Sequence, residues 1–193
     1  MSVPYVIEGS GQKERSYDLY SRLLKDRIIF LGRSFEPDLA NSVVAQLLFL
    51  EANDSESDII MYINSPGGYV SAELAIFDTM NYIKPDISTV CVGHAASAAA
   101  CILASGTKGK RYALKNSRIM LHQISSGMSG HIEDMKIAYR EAEFLNDLMV
   151  EELSIITGHS KKKVKKDLDR DKYMSAEEAK EYGIIDEVLT HRG

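Results

Sequence analysis

The sequence predicts a single α/β domain, built of repeated β-β-α units, that spans residues 1–193. Short β-branched and aromatic runs alternate along the chain with longer segments in which apolar residues recur at helical spacing. A chain of 193 residues can bury a core that folds without disulfides. Neither an internal repeat nor a low-complexity linker divides it, so one domain is expected.

The first half of the chain is predicted to contain three strands, each followed by a helix. Pro37 begins the first helix, and Lys84-Pro85 ends the second. Gly93-His94 is predicted to form a turn between the third strand and an alanine-rich helix. The predicted strands are 27–32, 58–63 and 87–92, and the helices are 37–48, 70–83 and 95–104.

The second half is predicted to be mainly helical after two short strands at 111–114 and 118–121. Ser160 is expected to cap a lysine-rich helix, and Ser175 with Glu178 forms the pattern of a capping box. A last strand is predicted at 184–189.

Residues 131–156 contain neither proline nor glycine and have apolar residues at helical spacing. A helix of this length would extend almost ~40 Å, beyond the span of a domain of this size. One interpretation is a helix broken near Phe144. The favoured interpretation is an arm that pairs with a second subunit.

The composition argues against several classes of protein. A net charge of −5 and a pI near 5.6 disfavour nucleic acid or an anionic membrane as the main partner. Cys91 and Cys101 lie in apolar runs outside any CxxC pair, as expected of buried thiols in a cytoplasmic protein. No segment has the ~18 uninterrupted apolar residues of a membrane span. The N-terminal residues, about 1–15, lack the apolar core of a secretory signal and are expected to be a mobile arm.

Ser97 is the serine whose local sequence best suits a nucleophile. It follows a buried strand and is predicted to lie in the first turn of a helix, where free N–H groups favour an oxyanion. The residue equally suits a helix N-cap in an alanine-rich packing seam. The local pattern is not Gly-x-Ser-x-Gly, which disfavours an α/β-hydrolase.

Three further segments could contribute to a site. The loop 64–68, Asn-Ser-Pro-Gly-Gly, exposes backbone N–H groups to an anionic oxygen, although a plain turn is the competing interpretation. His122 directly follows an apolar strand, where sites gather in α/β proteins. Asp167, Asp169 and Asp171 share a charged loop, and the residues alone favour none of the three.

Taken together, these segments resemble the Clp protease proteolytic subunit family of ATP-dependent endopeptidases. The resemblance runs without a gap from about Tyr17 to the end of the chain. The segments that carry it are 17–32, 62–68, 77–80, 83–86, 95–97, 117–120, 122–123, 169–171, 174–179 and 182–183.

The resemblance implies a serine peptidase on a crotonase-like fold. Ser97 would be the nucleophile, His122 the general base and Asp171 the carboxylate that orients the base. The N–H groups of Gly68 and Ala98 would form the oxyanion hole.

The resemblance also implies partners. Two sevenfold rings would stack into a tetradecamer through the helix 131–156, with Asp169 and Arg170 helping to pair them, and the N-terminal arms would gate the axial pores. An AAA+ unfoldase would use ATP and deliver unfolded proteins, so the subunit itself needs no cofactor or metal, and neither nucleic acid nor membrane is an expected partner. The implied docking residues for the unfoldase are Tyr62, Tyr82, Tyr112, Leu114 and Leu189.

Several residues depart from the usual family pattern around the expected substrate strand. Family members commonly have Gln, Met and Gly at positions 94, 98 and 99, and Pro, an apolar residue and Gly at 124–126. The lone chain is therefore expected to be a weak peptidase with an altered side-chain preference. The residues at these positions here are His94, Ala98, Ala99, Ile124, Ser125 and Ser126.

Two other functions compete with this interpretation. One is a crotonase-like hydratase or isomerase that acts on acyl-CoA, although such enzymes usually rely on a glutamate. The other is a regulatory ring subunit that assembles with an active paralogue.

Overall fold

A computed structural model describes residues 3–9, 14–125, 127 and 129–191 of the chain. These residues form nine strands and seven helices. The strands are β1 (Tyr5–Glu8), β2 (Arg15–Asp18), β3 (Ile28–Leu31), β4 (Ile59–Ser65), β5 (Ile87–Ala96), β6 (Arg111–Leu114), β7 (Arg118–Leu121), β8 (Lys172–Ser175) and β9 (Glu187–Leu189). The helices are α1 (Leu19–Lys25), α2 (Pro37–Asn53), α3 (Val70–Tyr82), α4 (Ala98–Ala104), α5 (Ile132–Thr157), α6 (Lys161–Asp167) and α7 (Ala176–Tyr182).

The main sheet has five parallel strands in the order β3-β4-β5-β6-β9. β5 has different neighbours along its length, because residues 89–91 pair with β6 and residues 94–96 pair with β7. β7 in turn pairs with β8 in antiparallel fashion. The predicted α/β class is confirmed, with β7 and β8 forming a side branch at the end of β5.

The helices pack on this sheet through regularly spaced apolar residues. Pro37 lies in the first turn of α2, which buries Leu39, Val43 and Leu47. Every residue of α4 is buried, and Ile102 and Leu103 are completely inaccessible to solvent. Burial of one such side chain contributes about 2 kcal/mol, so α4 is held firmly at the centre of the core.

The predicted turn at Gly93-His94 is wrong. β5 continues through both residues to Ala96, and His94 pairs with Arg118 of β7. Gly93 adopts φ +87°, and the pairing register with β4 shifts between Ile63 and Ser65. Such an irregularity re-aims a strand without ending it, and Gly93 supplies the conformation it needs.

Residues 132–157 form one unbroken helix, α5, so the helix has no break near Phe144. Its 26 residues extend about 39 Å. Only Val150 and Leu153 are buried, and both lie in the second half. The first half projects from the domain with apolar side chains in solvent, among them Ile137 and Phe144.

The N-terminal segment forms a hairpin in which β1 pairs with β2. Residues 1, 2 and 10–13 of the predicted arm lie outside the described residues, and the mobility of the arm stays a prediction. Both cysteines are buried and free, as expected. Among the described helices, none is long and apolar enough to cross a bilayer.

Candidate active site

Ser97 lies at the junction of β5 and α4, where it is the N-cap of the helix instead of a residue of its first turn. Its backbone adopts φ 54° and ψ −128°, outside the regions that serine prefers. The Ser97 N–H donates to the Met120 carbonyl at 2.8 Å, and its carbonyl accepts from the Ala100 N–H at 2.9 Å. A strained conformation of this kind costs about 1–3 kcal/mol and occurs most often at functional sites.

His122 directly follows β7, the strand that pairs with the end of β5. Ala96 pairs with Met120 in the parallel register, so Ser97 and His122 follow the ends of adjacent strands. The imidazole is about a quarter exposed, which leaves one side open to a substrate.

Asp171 immediately precedes β8, and the antiparallel register places it beside His122. Leu121 pairs with Lys172, so the next pair along the two strands is His122 with Asp171. Nδ1 of His122 lies 3.6 Å from Oδ1 of Asp171. This separation is longer than a hydrogen bond.

Two hydrogen bonds hold the His122 and Asp171 segments together. The Gln123 N–H donates to the Leu168 carbonyl at 2.7 Å, and Nε2 of Gln123 donates to the Asp169 carbonyl at 3.1 Å. The three candidate residues are thus brought together by β5, β7 and β8. Within the described part of the chain, however, the Ser97 hydroxyl has no hydrogen-bond partner within 3.5 Å.

The glycine loop that follows β4 packs directly on the backbone around Ser97. A Cβ atom on Gly67 would lie 2.6 Å from the Ala96 carbonyl oxygen and 2.9 Å from the Ala98 nitrogen. Phe35 anchors the loop, because its N–H donates to the Gly67 carbonyl at 2.8 Å. Gly67 also has φ +86°, so only glycine suits this position without strain.

Gly68 and Ala98, the expected oxyanion donors, are therefore carried by two backbone segments in close contact. Neither of their N–H groups donates to an acceptor among the described residues. Unpaired N–H groups beside a helix N-terminus can hold a negatively charged oxygen.

The segment after His122 departs from the family pattern and is tied to α5. The Ile124 N–H donates to Oδ1 of Asn146 at 3.2 Å, a bond that proline at this position could not make. Ser125 is exposed, and Ser126 lies outside the described residues.

Asp169 and Arg170, the expected ring contacts, are both well exposed beside Asp171. Nη1 of Arg170 donates to the Asp169 carbonyl at 2.7 Å. Their exposure leaves both side chains accessible to a second subunit.

Four of the five expected docking residues lie on the main sheet. Tyr62 of β4 and Tyr112 of β6 each pair with Val90 of β5, and Leu114 pairs with Leu189. Tyr82 lies apart from them at the end of α3, where it is 81% exposed.

Glu73 is a titratable residue that the sequence-based prediction overlooked. It lies on α3 and is only 7% exposed. Burial raises the pKa of its carboxyl to about 7, and the Cys101 thiol beside it partly opposes that effect. A glutamate between Ala72 and Leu74 in an apolar helix was the signal that could have identified it.

No group of three or more residues in the described ranges has a metal-binding arrangement. A family model described as Clp protease matches residues 11–192. The match covers almost the whole chain, including every candidate site residue described above.

Proposed function

The chain belongs to the Clp protease family, and from that premise we propose that it is the serine endopeptidase subunit of an ATP-dependent compartmental protease. Ser97 is the nucleophile, His122 the general base and Asp171 the residue that orients the base. The position of these three residues at the neighbouring ends of β5, β7 and β8 supports the proposal.

In the proposed mechanism, Oγ of Ser97 attacks the carbonyl carbon of a peptide bond while Nε2 of His122 takes the hydroxyl proton. The peptide oxygen becomes an oxyanion that accepts hydrogen bonds from the N–H groups of Gly68 and Ala98. The protonated His122 then gives its proton to the amine as the peptide C–N bond breaks, which leaves the acyl group on Oγ of Ser97. Water hydrolyses the acyl-enzyme by the same steps in reverse order.

Asp171 serves this mechanism by accepting a hydrogen bond from Nδ1–H of His122. That role requires the present separation of 3.6 Å to shorten by about half an ångström. We place the shortening at substrate binding or ring assembly, because catalytic hydrogen bonds often tighten only in the complex.

The partners follow from the same proposal. The exposed apolar first half of α5 joins two heptameric rings, assisted by Asp169 and Arg170. An AAA+ unfoldase docks on Tyr62, Tyr82, Tyr112, Leu114 and Leu189 and supplies unfolded chains. The subunit uses no cofactor or metal of its own, and the unfoldase hydrolyses the ATP.

A fluorophosphonate probe tests the nucleophile directly. We expect labelling at Ser97 and slow cleavage of fluorogenic peptides, both lost in Ser97→Ala and both retained in the control Ser71→Ala, an exposed serine on α3. If the probe labelled neither the wild-type protein nor Ser71→Ala, and the wild-type protein converted acyl-CoA, the chain would instead be a crotonase-like hydratase.

One observation favours a second candidate, a regulatory ring subunit. The 3.6 Å separation of His122 and Asp171 and the unpartnered Ser97 hydroxyl describe a site that is not fully aligned in the single chain. Addition of an active paralogous ring separates the two functions. A lone chain that is inactive and unlabelled, but that accelerates its paralogue, would establish the regulatory role.

A further inference from the structure

A narrow apolar cleft lies between α3, α4 and α5, and the first two of these helices begin just after the glycine loop and Ser97. Val70 on its wall follows Gly68 by two residues, and Cys101 lies one helical turn beyond Ser97, a rise of about 6 Å. Most of the other lining side chains are apolar, including Phe77, Met149 and Leu153. Its position suits the side chain of the substrate residue that supplies the scissile carbonyl, the P1 residue.

Glu73 and Glu152 interrupt this apolar lining, and no lysine, arginine or histidine of the described chain joins them. Only 7% of Glu73 is exposed, and the neighbouring thiol of Cys101 partly opposes the effect of burial on the pKa of its carboxyl. An acidic side chain buried without a cation is costly. A ligand that brings a positive charge into the cleft would remove that cost.

We propose that Glu73 makes this cleft a subsite for a lysine at P1, with the ammonium at Glu73 and the carbon stem along the apolar walls. This inference rests on the proposed peptidase function, which it deepens by naming the substrate class. The lysine stem is flexible and unbranched, so it suits a narrow channel. The free volume of the cleft is only about 20 Å³, about the space of one water molecule, so a P1 side chain enters by displacing the half-buried Leu145 and Leu148 of α5.

The charge state of the cleft supports this assignment. Burial raises the pKa of Glu73 to about 7 and also raises that of Glu152, on which Glu151 and Asp78 act in the same direction. The pKa of Cys101 is raised well above its ordinary value, first by burial and then by Glu73, so the thiol stays protonated. A bound ammonium would favour ionised Glu73, and the preference for lysine should therefore increase with pH.

Peptides that differ only at P1 test the proposal. For the wild-type protein we expect the ratio of kcat/KM for lysine to that for norleucine to rise about tenfold from pH 6 to pH 8, as Glu73 ionises. Glu73→Gln should lower cleavage after lysine about tenfold or more while cleavage after norleucine is kept. Glu177→Gln, an exposed change on α7 outside the cleft, should match wild type. An unchanged ratio in Glu73→Gln, or equal preference for glutamine and lysine, would overturn the proposal.

A binding measurement separates this inference from the proposed function. In Ser97→Ala, n-butylammonium should shift the NMR resonance of the Glu73 carboxyl carbon, and n-butanol should not. Absence of that shift overturns the subsite even if Ser97 of the wild-type protein reacts with a fluorophosphonate. A clear shift in a chain that neither cleaves peptides nor reacts with the probe would retain the cation site and refute the peptidase.

Discussion

Nδ1 of His122 and Oδ1 of Asp171 lie 3.6 Å apart on neighbouring antiparallel strands. The register of β7 and β8 places the two residues directly opposite each other. The distance between the two side-chain atoms then depends on side-chain rotation. The backbone thus positions the pair, and a small movement is enough to complete the hydrogen bond.

Asp171→Asn should lower kcat/KM by about 10²–10⁴-fold, because an amide cannot hold the imidazole in the orientation and tautomer that the base requires. The free energy of unfolding should change by less than about 0.5 kcal/mol, since the Asp171 side chain is 58% exposed. Peptidase assays and urea denaturation measure the two effects.

Asp167, the last residue of α6, is the matched control four residues before Asp171. It accepts hydrogen bonds from Nζ of Lys163 at 2.8 Å and from Oη of Tyr182 at 2.9 Å. Asp167→Asn should therefore destabilise the chain by about 1–2 kcal/mol. Equal stability losses in the two variants would contradict the assigned roles.

Gly67→Ala should disrupt the site more than its backbone conformation alone predicts. Gly67 and Gly109 have nearly the same φ, +86° and +87°, but a Cβ on Gly109 would contact nothing within 4 Å. Gly109→Ala should cost about 1 kcal/mol of stability with activity kept. Gly67→Ala should cost more and abolish fluorophosphonate labelling, because its methyl group displaces the backbone around Ser97.

Phe144→Asp should prevent assembly while the subunit stays folded. The Phe144 side chain is 63% exposed, so an aspartate there costs the isolated chain little. In a ring contact the same charge would be buried without a partner, which costs several kcal/mol. Light scattering should show smaller particles for Phe144→Asp and unchanged particles for Glu143→Gln.

Tyr62→Asp should block ATP-dependent degradation of a folded protein while small peptides are still cleaved. Tyr62 shares a row of the main sheet with Tyr112, away from the residues at the end of β5. Asn41→Asp adds the same charge to an exposed position of α2 and should leave both activities unchanged. Parallel loss of both activities in Tyr62→Asp would show that the residue is structural.

Glu73 should make stability fall as pH rises from about 5 to 8. The pKa of the Glu73 carboxyl is about 7 in the folded chain and 4.5 when it is unperturbed, as in the unfolded chain. Between these two values the folded chain binds more protons than the unfolded chain, so the free energy of unfolding decreases as pH rises. At about 1.4 kcal/mol for each pH unit, the loss approaches 3 kcal/mol. Urea denaturation from pH 5 to 8 should show a flatter profile for Glu73→Gln, and an identical slope in both proteins would contradict this origin.

Helices and strands could be predicted from the sequence where a single local pattern determines them. The capping box of Ser175 and Glu178 and the N-cap at Ser160 are both present, because they depend on local hydrogen bonds. The strand β5 was predicted too short because glycine usually ends a strand. Here the Ser117 hydroxyl donates to the Cys91 carbonyl and accepts from the Gly93 N–H, which retains the strand through the irregularity.

The site residues were predicted jointly, through the family resemblance, and not from local sequence. Nothing in the charged loop distinguishes Asp171 from Asp169 until β8 is known to pair with β7. β8 itself was not predicted, since four residues between two helices carry little periodicity. Such non-local pairing is the information that a single sequence lacks.

Because β7 and β8 form a side branch of the sheet, the stability of the core and the geometry of the candidate site depend on different strands. The core depends on the five parallel strands and the buried α4, whereas the placement of Ser97 and His122 after the ends of adjacent strands depends on a short ladder of residues 94–96 with 118–120. Local opening of that ladder would dismantle the reaction centre and cost far less free energy than global unfolding. We therefore expect that local opening at β7 would lower peptidase activity while the chain remains folded.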